Sequence, residues 1–263
     1  MNVKIACCYH YTSPKVIDPV VLKYPDVFIP VVGGSAIVGR ADDPFFNAMR
    51  HDNEGENISL FNGLLSEATS LFWLYKHLEE FNSPDMVGLC HYRRVFDLDY
   101  NRLDEHTIYL KRCGCPIPEH HTFLGSYWSD PEIAVLVRDE YFNTFPQYFS
   151  LYQTLKEDYT FYDKEMFVMN RREFYHYMDY MMRCIRLILN RILPRILKWY
   201  SELPTTYGAQ FLCYNRGFSY HLECFAALYF AMLQEQGYRI QVTNLTEGSV
   251  HDDYGHMCVP RRC

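Results

Sequence analysis

The sequence contains no apolar run of the ~20 residues that spanning a bilayer requires, and no secretory signal sequence opens it. We therefore expect its ten cysteines to be reduced thiols in the cytoplasm rather than disulfides. Basic residues are also scarce, with 25 Lys and Arg against 32 Asp and Glu and a formal net charge of −7. Because nucleic-acid binding requires a basic face that neutralises phosphates, this balance predicts that the protein does not bind nucleic acid.

Several catalytic motifs are missing as well. The sequence has neither of the common glycine-rich loops that bind nucleotide phosphates, no Gly-x-Ser-x-Gly nucleophile elbow and no His-Glu-x-x-His zinc motif. Cys113, Cys115, His120 and His121 are four potential zinc ligands, but they lack a paired Cys-x-x-Cys and have two prolines among them. This cluster therefore fits a proline-rich loop better than a zinc site.

The spacing of apolar residues predicts alternating strands and helices. Short apolar runs predict strands at Val3–Tyr9 and at residues 27–32, 86–90, 166–169 and 238–242. Helical spacing predicts helices at residues 66–78, 172–199 and 220–236, the last closed by Gly237. This order predicts one layered α/β domain over residues 1–263, with a helical part over 172–236 and ligands where loops leave the carboxyl ends of strands.

The third predicted strand leads directly into His91-Tyr92-Arg93-Arg94. Guanidinium groups bind phosphate oxygens in a bidentate manner, so a buried strand that delivers two of them with an imidazole predicts a diphosphate site. No predicted strand ends directly in Asp-x-Asp, the pair that holds a divalent cation beneath a diphosphate in many transferases of this layout. The four residues would then replace that cation. The alternative is a surface arginine pair in salt bridges.

Two further groups of residues are candidates for chemistry. The polar run over residues 51–59 includes Asp52 and Asn57 and suits ribose hydroxyls or a metal, although a solvated turn with Asn57 or Ser59 as helix cap is the alternative. Glu165 and Glu223 are candidates for the base that takes a proton from an acceptor hydroxyl, against ordinary surface or capping roles.

Residues 183–200, from Arg183 to Tyr200, alternate basic and apolar side chains. A basic amphipathic helix of this kind can lie on an anionic membrane. The alternative is a helix packed on the core, with extended arginine stems and a kink at Pro194.

These residues together resemble a bacterial family labelled domain of unknown function 4422, found among capsule, exopolysaccharide and O-antigen glycosyltransferases. The similarity runs nearly end to end, and its most specific element is His91-Tyr92-Arg93-Arg94. The other matching elements are Lys4-Ile5 followed by His10, Ile29-Pro30-Val31 before Gly33, residues 52–59, Glu67 with Phe72-Trp73, Gly88-Leu89-Cys90, residues 166–169, and Arg216-Gly217-Phe218 before Glu223. The family often has Asp-Thr-Gly-Asp-Asn at residues 53–57, and Asn at the position of Glu165.

The resemblance implies a GT-A-like fold, a Rossmann-like nucleotide-diphospho-sugar transferase with a central mixed sheet flanked by helices and a helical C-terminal part. It also implies transfer of a hexose, for example galactose, from a UDP-sugar to a glycan acceptor that is lipid-linked. With cationic diphosphate ligands, a divalent metal (Mn or Mg) is not expected to be strictly required. A non-catalytic nucleotide- or carbohydrate-binding subunit of a polysaccharide assembly complex is the alternative.

We assign the expected roles accordingly. His10, Tyr11 and the turn Gly33-Gly34 would receive the nucleobase and ribose, whereas Asp52 and Asn57 would hold ribose or sugar hydroxyls. His91, Arg93 and Arg94 would stabilise the departing diphosphate. Glu165 or Glu223 would face the sugar and act as the base.

Overall fold

The computed structural model describes residues 1–38, 43–112, 131–158, 162–201 and 217–246. Within them, seven strands form one mixed sheet in the order β3-β2-β1-β4-β6-β5-β7. The strands are β1 Val3–Tyr9, β2 Phe28–Val32, β3 Arg50–His51, β4 Met86–His91, β5 Thr107–Arg112, β6 Tyr162–Asn170 and β7 Arg239–Val242.

The direction of the strands gives the sheet one edge with several carboxyl ends. Strand β1 pairs in parallel with β2 and β4, and β2 pairs in parallel with β3. Strand β6 is antiparallel to both β4 and β5, and β7 is parallel to β5. The carboxyl ends of β1, β2, β3 and β4 therefore meet at the same edge, where the start of the antiparallel β6 also lies.

Helices cover both faces of the sheet. In the described residues they are α1 Pro19–Lys23, α2 Ser35–Val38, α3 Pro44–Asn47, α4 Asn62–Leu65, α5 Ala68–His77, α6 Pro131–Thr144, α7 Phe149–Asp158, α8 Arg171–Leu187, α9 Leu193–Ser201 and α10 Gly217–Glu235. The larger core lies between one sheet face and α5, α8 and α10, and includes Leu89, Phe167, Trp73, Tyr177 and Phe225. The smaller core covers the other face, with Cys7, Cys90 and Val168 packed against α1 and α3.

Most predicted elements are confirmed within a few residues. Val3–Tyr9 is a strand as predicted, and the helix expected over 66–78 is α5. Gly237 ends the helix predicted over 220–236 and adopts a φ of 91°. The prediction missed strands β3 and β5 and helices α1 to α4, α6 and α7. Strand β3 and helices α1 to α4 have five residues or fewer, and β5, α6 and α7 carry charged side chains among their apolar ones, so their local patterns are weak.

The basic segment over residues 183–200 packs on the core through its apolar side. Ile185, Ile188, Ile192 and Ile196 are all buried. Residues Ile188–Ile192 form a π-helical turn just before Pro194, and the Leu193 N–H donates to the Ile188 carbonyl. A proline has no N–H to donate, and a π turn is one way in which a helix accommodates such a break. The apolar face is thus covered by the protein itself, as the core-packed alternative predicts.

Two of the basic residues in this segment form ion pairs. Arg191 and Arg195 each lie 2.6 Å from a carboxylate oxygen of the largely buried Glu140 on α6. In the described part of the chain, no helix is long and apolar enough to span a bilayer.

Candidate active site

A cleft opens at the sheet edge where β1 and β4 end, with helices α4, α5 and α10 opposite. It encloses about 770 Å³ of space, part of it open to solvent. Its lining consists of Cys8, Tyr9, His10, Gly33, Asn62, Ser66, Glu67, Ser70, His91, Tyr92, Arg93, Arg94, Ser219, Tyr220 and Glu223. The predicted residues that reach it are His10, Gly33, His91, Arg93, Arg94 and Glu223.

The basic wall of the cleft is a tight turn at the end of β4. The His91 N–H donates to the Arg94 carbonyl at 3.2 Å, and the Arg94 N–H donates back to the His91 carbonyl at 2.9 Å. The Tyr92 N–H donates to the Cys8 carbonyl at 3.0 Å, which fixes the turn to β1. Arg94 is 3% exposed. It is therefore not a surface residue, and the buried strand delivers Arg94 to the cleft lining together with Arg93 and the His91 imidazole.

Aromatic rings stand beside this turn. The Tyr92 ring packs on Tyr9 at a centroid distance of 5.4 Å and meets the His10 ring edge-on at 5.6 Å. The Arg93 guanidinium lies 5.7 Å from the centre of the Tyr92 ring. Tyr92 thus lines the cleft beside His10, where Tyr11 was expected. The Tyr11 hydroxyl instead lies 3.2 Å from Nδ1 of His51, and Tyr11 is not part of the lining.

Asp52 is fully buried behind the cleft and holds the turn Gly33-Gly34. Its Oδ2 accepts hydrogen bonds from the Gly34 N–H at 2.8 Å and the Thr69 hydroxyl at 2.7 Å. Its Oδ1 accepts from the Ser35 N–H at 3.0 Å and the Ser59 hydroxyl at 2.5 Å. Because four protein donors occupy this carboxylate, it positions the turn and does not face the cleft where sugar hydroxyls were expected to meet it.

The turn itself requires glycine at position 34. Gly34 has a φ of 74°, and a Cβ there would lie 2.9 Å from Oδ1 of Asn62. Both the left-handed backbone and the close approach of Asn62 disfavour a side chain at this position.

Asn57 lies in an exposed turn away from the cleft. Its Nδ2 donates to the carbonyls of Asn53 and Gly55, and its Oδ1 accepts from the Ser59 N–H at 3.2 Å. These bonds correspond to the capped, solvated turn that was the alternative for residues 52–59. Asn57 was expected to contact a bound sugar nucleotide, but its side-chain amide is engaged in these local hydrogen bonds.

The opposite wall of the cleft carries carboxylates. Glu67, at the N-terminus of α5, places Oε1 3.6 Å from Nε2 of His91. Glu223 of α10 also lines the cleft and is 8% exposed. Glu67 is one of the residues that resemble the family, but the sequence predicted no role for it, because a lone glutamate before a helix is usually a surface group. Asn62, Ser66, Ser70, Ser219 and Tyr220 are further lining residues that no local motif identified.

Glu165 lies behind these two carboxylates. It is 2% exposed, and neither of its carboxylate oxygens has a hydrogen-bond partner among the described residues. Burial raises the pKa of Glu165 well above its usual range, and Glu67 and Glu223 raise it further. Both effects favour the protonated, neutral form of the Glu165 carboxyl. This differs from its expected role, since a buried neutral acid outside the lining cannot receive the proton of an acceptor hydroxyl directly.

The backbone conformation at Glu165 explains where its side chain points. Leu110 pairs with Phe167, but Arg112 pairs with Tyr162, so β6 bulges between these points. Glu165 lies in the bulge with a φ of 52°, a left-handed conformation that costs a glutamate roughly 1 kcal/mol or more. Bulges redirect side chains near functional sites, and this one turns Glu165 towards Glu67 and Glu223.

Replacing Glu165 with glutamine should stabilise the protein in a pH-dependent manner. In the native state the carboxyl keeps its proton at pH values where the unfolded chain has lost it, so native stability falls as pH rises above about 4.5. The Glu165→Gln variant lacks this loss and should gain about 1 kcal/mol per pH unit over wild type until the native pKa is reached. Urea unfolding at pH 4, 6 and 8 measures the difference.

Glu235→Gln, an exposed change on α10, is the matched control and should show no such trend. A constant difference between Glu165→Gln and wild type across this pH range would contradict the neutral state of Glu165.

The cysteine in the cleft is not a nucleophile. Burial raises the pKa of the Cys8 thiol well above its usual range, and the negative charge of Glu67 adds to the shift. Because the thiolate is the reactive form, this shift disfavours reaction at Cys8. Burial and Cys7 likewise raise the pKa of the Cys90 thiol on the neighbouring strand.

No group of three or more His, Cys, Asp or Glu in the described part of the chain has an arrangement suited to a metal ion. Asp97-Leu98-Asp99 does follow β4 at a distance of several residues, but both carboxylates are exposed and neither lines the cleft. Cys113, Cys115, His120 and His121 lie outside the described residues.

Comparison with known proteins now identifies the family. The family model described as "Domain of unknown function (DUF4422)" matches residues 18–202. The chain belongs to this family. A search of curated proteins gave no match.

The fold is that of a glycosyltransferase of known structure. The solved structure titled "WbbM bifunctional glycosytransferase apo structure" superposes with a TM-score of 0.67 at 19% sequence identity, over 94% of this chain and 45% of that one. The predicted GT-A-like α/β fold, a mixed sheet flanked by helices, is thereby confirmed. This DUF4422 chain spans less than half the length of the matching structure.

Proposed function

We propose that this DUF4422 chain is a glycosyltransferase that moves a hexose, for example galactose, from a UDP-sugar to a glycan acceptor in surface polysaccharide biosynthesis. One observation carries the proposal: a single cleft joins a basic turn to a wall of carboxylates, with Glu67 and His91 only 3.6 Å apart. A sugar diphosphate needs both kinds of group side by side. The glycosyltransferase fold of the matching structure supports the assignment.

The basic turn would bind the diphosphate. As the bond between the anomeric carbon and the phosphate oxygen breaks, negative charge accumulates on the departing diphosphate. His91, Arg93 and Arg94 are fixed in place by the turn, so they stabilise this charge without reorganising. His10, Tyr92 and Gly33 lie beside the turn and would receive the nucleobase and ribose.

Glu223 is the proposed base. It lines the cleft, whereas Glu165 is buried behind it. The acceptor hydroxyl would attack the anomeric carbon and lose its proton to the Glu223 carboxylate. Glu165 would act through its neighbours as a neutral positioning group.

Ligand binding tests this proposal. A ligand specific to the native state stabilises the protein, so UDP at 100 times its dissociation constant should raise the free energy of unfolding by about 2.7 kcal/mol. We expect UDP and a UDP-hexose to raise the melting temperature, and slow release of UDP from the UDP-hexose in the absence of an acceptor. Both effects should survive EDTA, because the proposed ligands of the diphosphate are cationic residues.

Two outcomes would change the assignment. Stabilisation by UDP without any release or transfer would favour a non-catalytic nucleotide-binding subunit. Activity lost completely in EDTA and restored by manganese would instead place a divalent metal at the diphosphate.

We further propose weak peripheral contact with the cytoplasmic leaflet, where a lipid-linked acceptor would be met. The basic residues of the 183–200 segment are exposed although its apolar face is buried: Arg183, Arg186, Arg191, Arg195 and Lys198. Contact would therefore be electrostatic and sensitive to salt.

Vesicle co-sedimentation tests this contact. Arg186→Gln with Lys198→Gln leaves the partners of Glu140 in place, and each basic residue near an anionic surface contributes about 1 kcal/mol, so binding at low salt should weaken at least about tenfold. Arg102→Gln, with a side chain 86% exposed, is the control and should bind like wild type. If the wild-type protein is absent from the pellet at low salt, the proposed membrane contact is wrong.

A further inference from the structure

We propose that the sugar of the donor carries no negative charge, because Glu67 and Glu223 exclude sugars with a carboxylate. This inference rests on the proposed function, since it concerns the sugar attached to a diphosphate in the same cleft. It adds a specificity that separates neutral hexoses and amino sugars from uronic acids.

The position of the sugar follows from the geometry of the two walls. His91 belongs to the basic turn and Glu67 to the acidic wall, and their side chains approach to 3.6 Å. A sugar is bonded directly to the diphosphate, so a diphosphate on the basic turn brings its sugar within reach of Glu67. Glu223 lines the same cleft. Carboxylates accept hydrogen bonds from sugar hydroxyls, which suits a neutral ring.

The negative charge of the wall formed by Glu67 and Glu223 is what excludes an anionic sugar. Glu67 lies at the N-terminus of α5, where the helix dipole favours a negative charge. Glu165 is buried behind Glu67 and Glu223, and burial together with these two carboxylates raises the pKa of Glu165 well above its usual range. This part of the protein therefore disfavours a further negative charge.

A uronic acid would introduce such a third charge. Its carboxylate would enter a partly desolvated region beside two existing carboxylates, where like charges repel strongly. The basic residues that line the cleft in the described part of the chain are His10, His91, Arg93 and Arg94, and the last three are assigned to the diphosphate. An amino group, by contrast, would be attracted by both carboxylates.

A set of donors that differ only in charge tests the inference. Binding of UDP, UDP-glucose, UDP-glucuronic acid and UDP-glucosamine, and of the galactose counterparts, is measured by calorimetry. The comparison uses whichever of the two sets, glucose or galactose, binds more tightly. Within that set, we expect the UDP-uronic acid to bind at least about tenfold more weakly than the neutral UDP-sugar. The amino sugar should bind as tightly as the neutral sugar or more tightly.

Variants identify the residues responsible. Glu67→Gln and Glu223→Gln should each reduce the ratio of neutral to uronic acid affinity at least about threefold by removing one repelling charge. Glu235→Gln makes the same charge change on α10 twelve residues beyond Glu223, which is about 18 Å along a helix, and should leave the ratio unchanged.

The outcomes separate this inference from the proposed function. If UDP binds and the neutral and uronic donors bind equally, the inference is wrong and the proposed diphosphate site stands. A ratio that responds equally to Glu67→Gln and to Glu235→Gln would also overturn it. If UDP itself does not bind, the proposed function fails and the inference fails with it.

Discussion

Replacing Arg93 with alanine is expected to lower turnover of a UDP-hexose by about 100- to 1,000-fold, the effect of removing one preorganised donor from a developing oxyanion. Arg93 lines the cleft in a turn anchored to β1 by the hydrogen bond from Tyr92 to Cys8. Because the charge on the diphosphate grows as the glycosidic bond breaks, kcat should fall more than the affinity for the donor. Release of UDP, followed by chromatography, measures the rate.

Arg94→Ala should act in the same direction, but Arg94 is buried and its loss also affects packing. Arg94→Lys keeps a charge without the bidentate geometry, so it should recover only part of the activity. Arg102→Ala removes an exposed arginine as a control. Wild-type turnover in a folded Arg93→Ala variant would show that the basic turn does not bind the leaving group.

Replacing Asp52 with alanine is expected to destabilise the protein by about 4 kcal/mol or more, since an unsatisfied buried donor costs about 1–3 kcal/mol. The substitution removes the acceptor of two backbone N–H groups, at Gly34 and Ser35, and of the Ser59 and Thr69 hydroxyls. Total stabilities of domains are about 5–15 kcal/mol, so we expect much of the variant to be lost from the soluble fraction. Urea unfolding measures the change.

Asp52→Asn keeps one acceptor oxygen and should be less harmful than alanine. Asp99→Ala, at an exposed carboxylate, should change stability by less than about 0.5 kcal/mol. If Asp52→Ala unfolds at the urea concentration of wild type and loses only donor binding, then Asp52 contacts the ligand, as the sequence suggested, and is not a support of the turn.

Asp52 and Glu165 show how much of the site could be predicted from the local sequence. The polar run singled out Asp52, but a sequence cannot show that four donors converge on its carboxylate, from Gly34 after β2, Ser35 of α2, Ser59 and Thr69 of α5. Glu165 presents the same difficulty. Its left-handed backbone lies in the bulge of β6, and only the pairing of β6 with β5 reveals that bulge.

Glu67 was missed for a related reason. It precedes α5 by one residue, and its neighbours Ser66 and Ser70 belong to no motif. Its importance arises from His91, which lies more than twenty residues away in the chain and at the end of a different element. No local sequence pattern predicts that Glu67 lies close to His91, because their proximity depends on how α5 packs against β1 and β4.

The sequence by itself determined the elements whose periodicity is strong and the basic turn at the end of β4. A short apolar run specifies β1, and a buried strand that ends in His91-Tyr92-Arg93-Arg94 must deliver those groups at a sheet edge. Only the tertiary structure decided which carboxylates face them, which stay neutral and which support the turn. Charge state and exposure depend on neighbours brought together from distant parts of the chain, and burial is a property of the packed molecule.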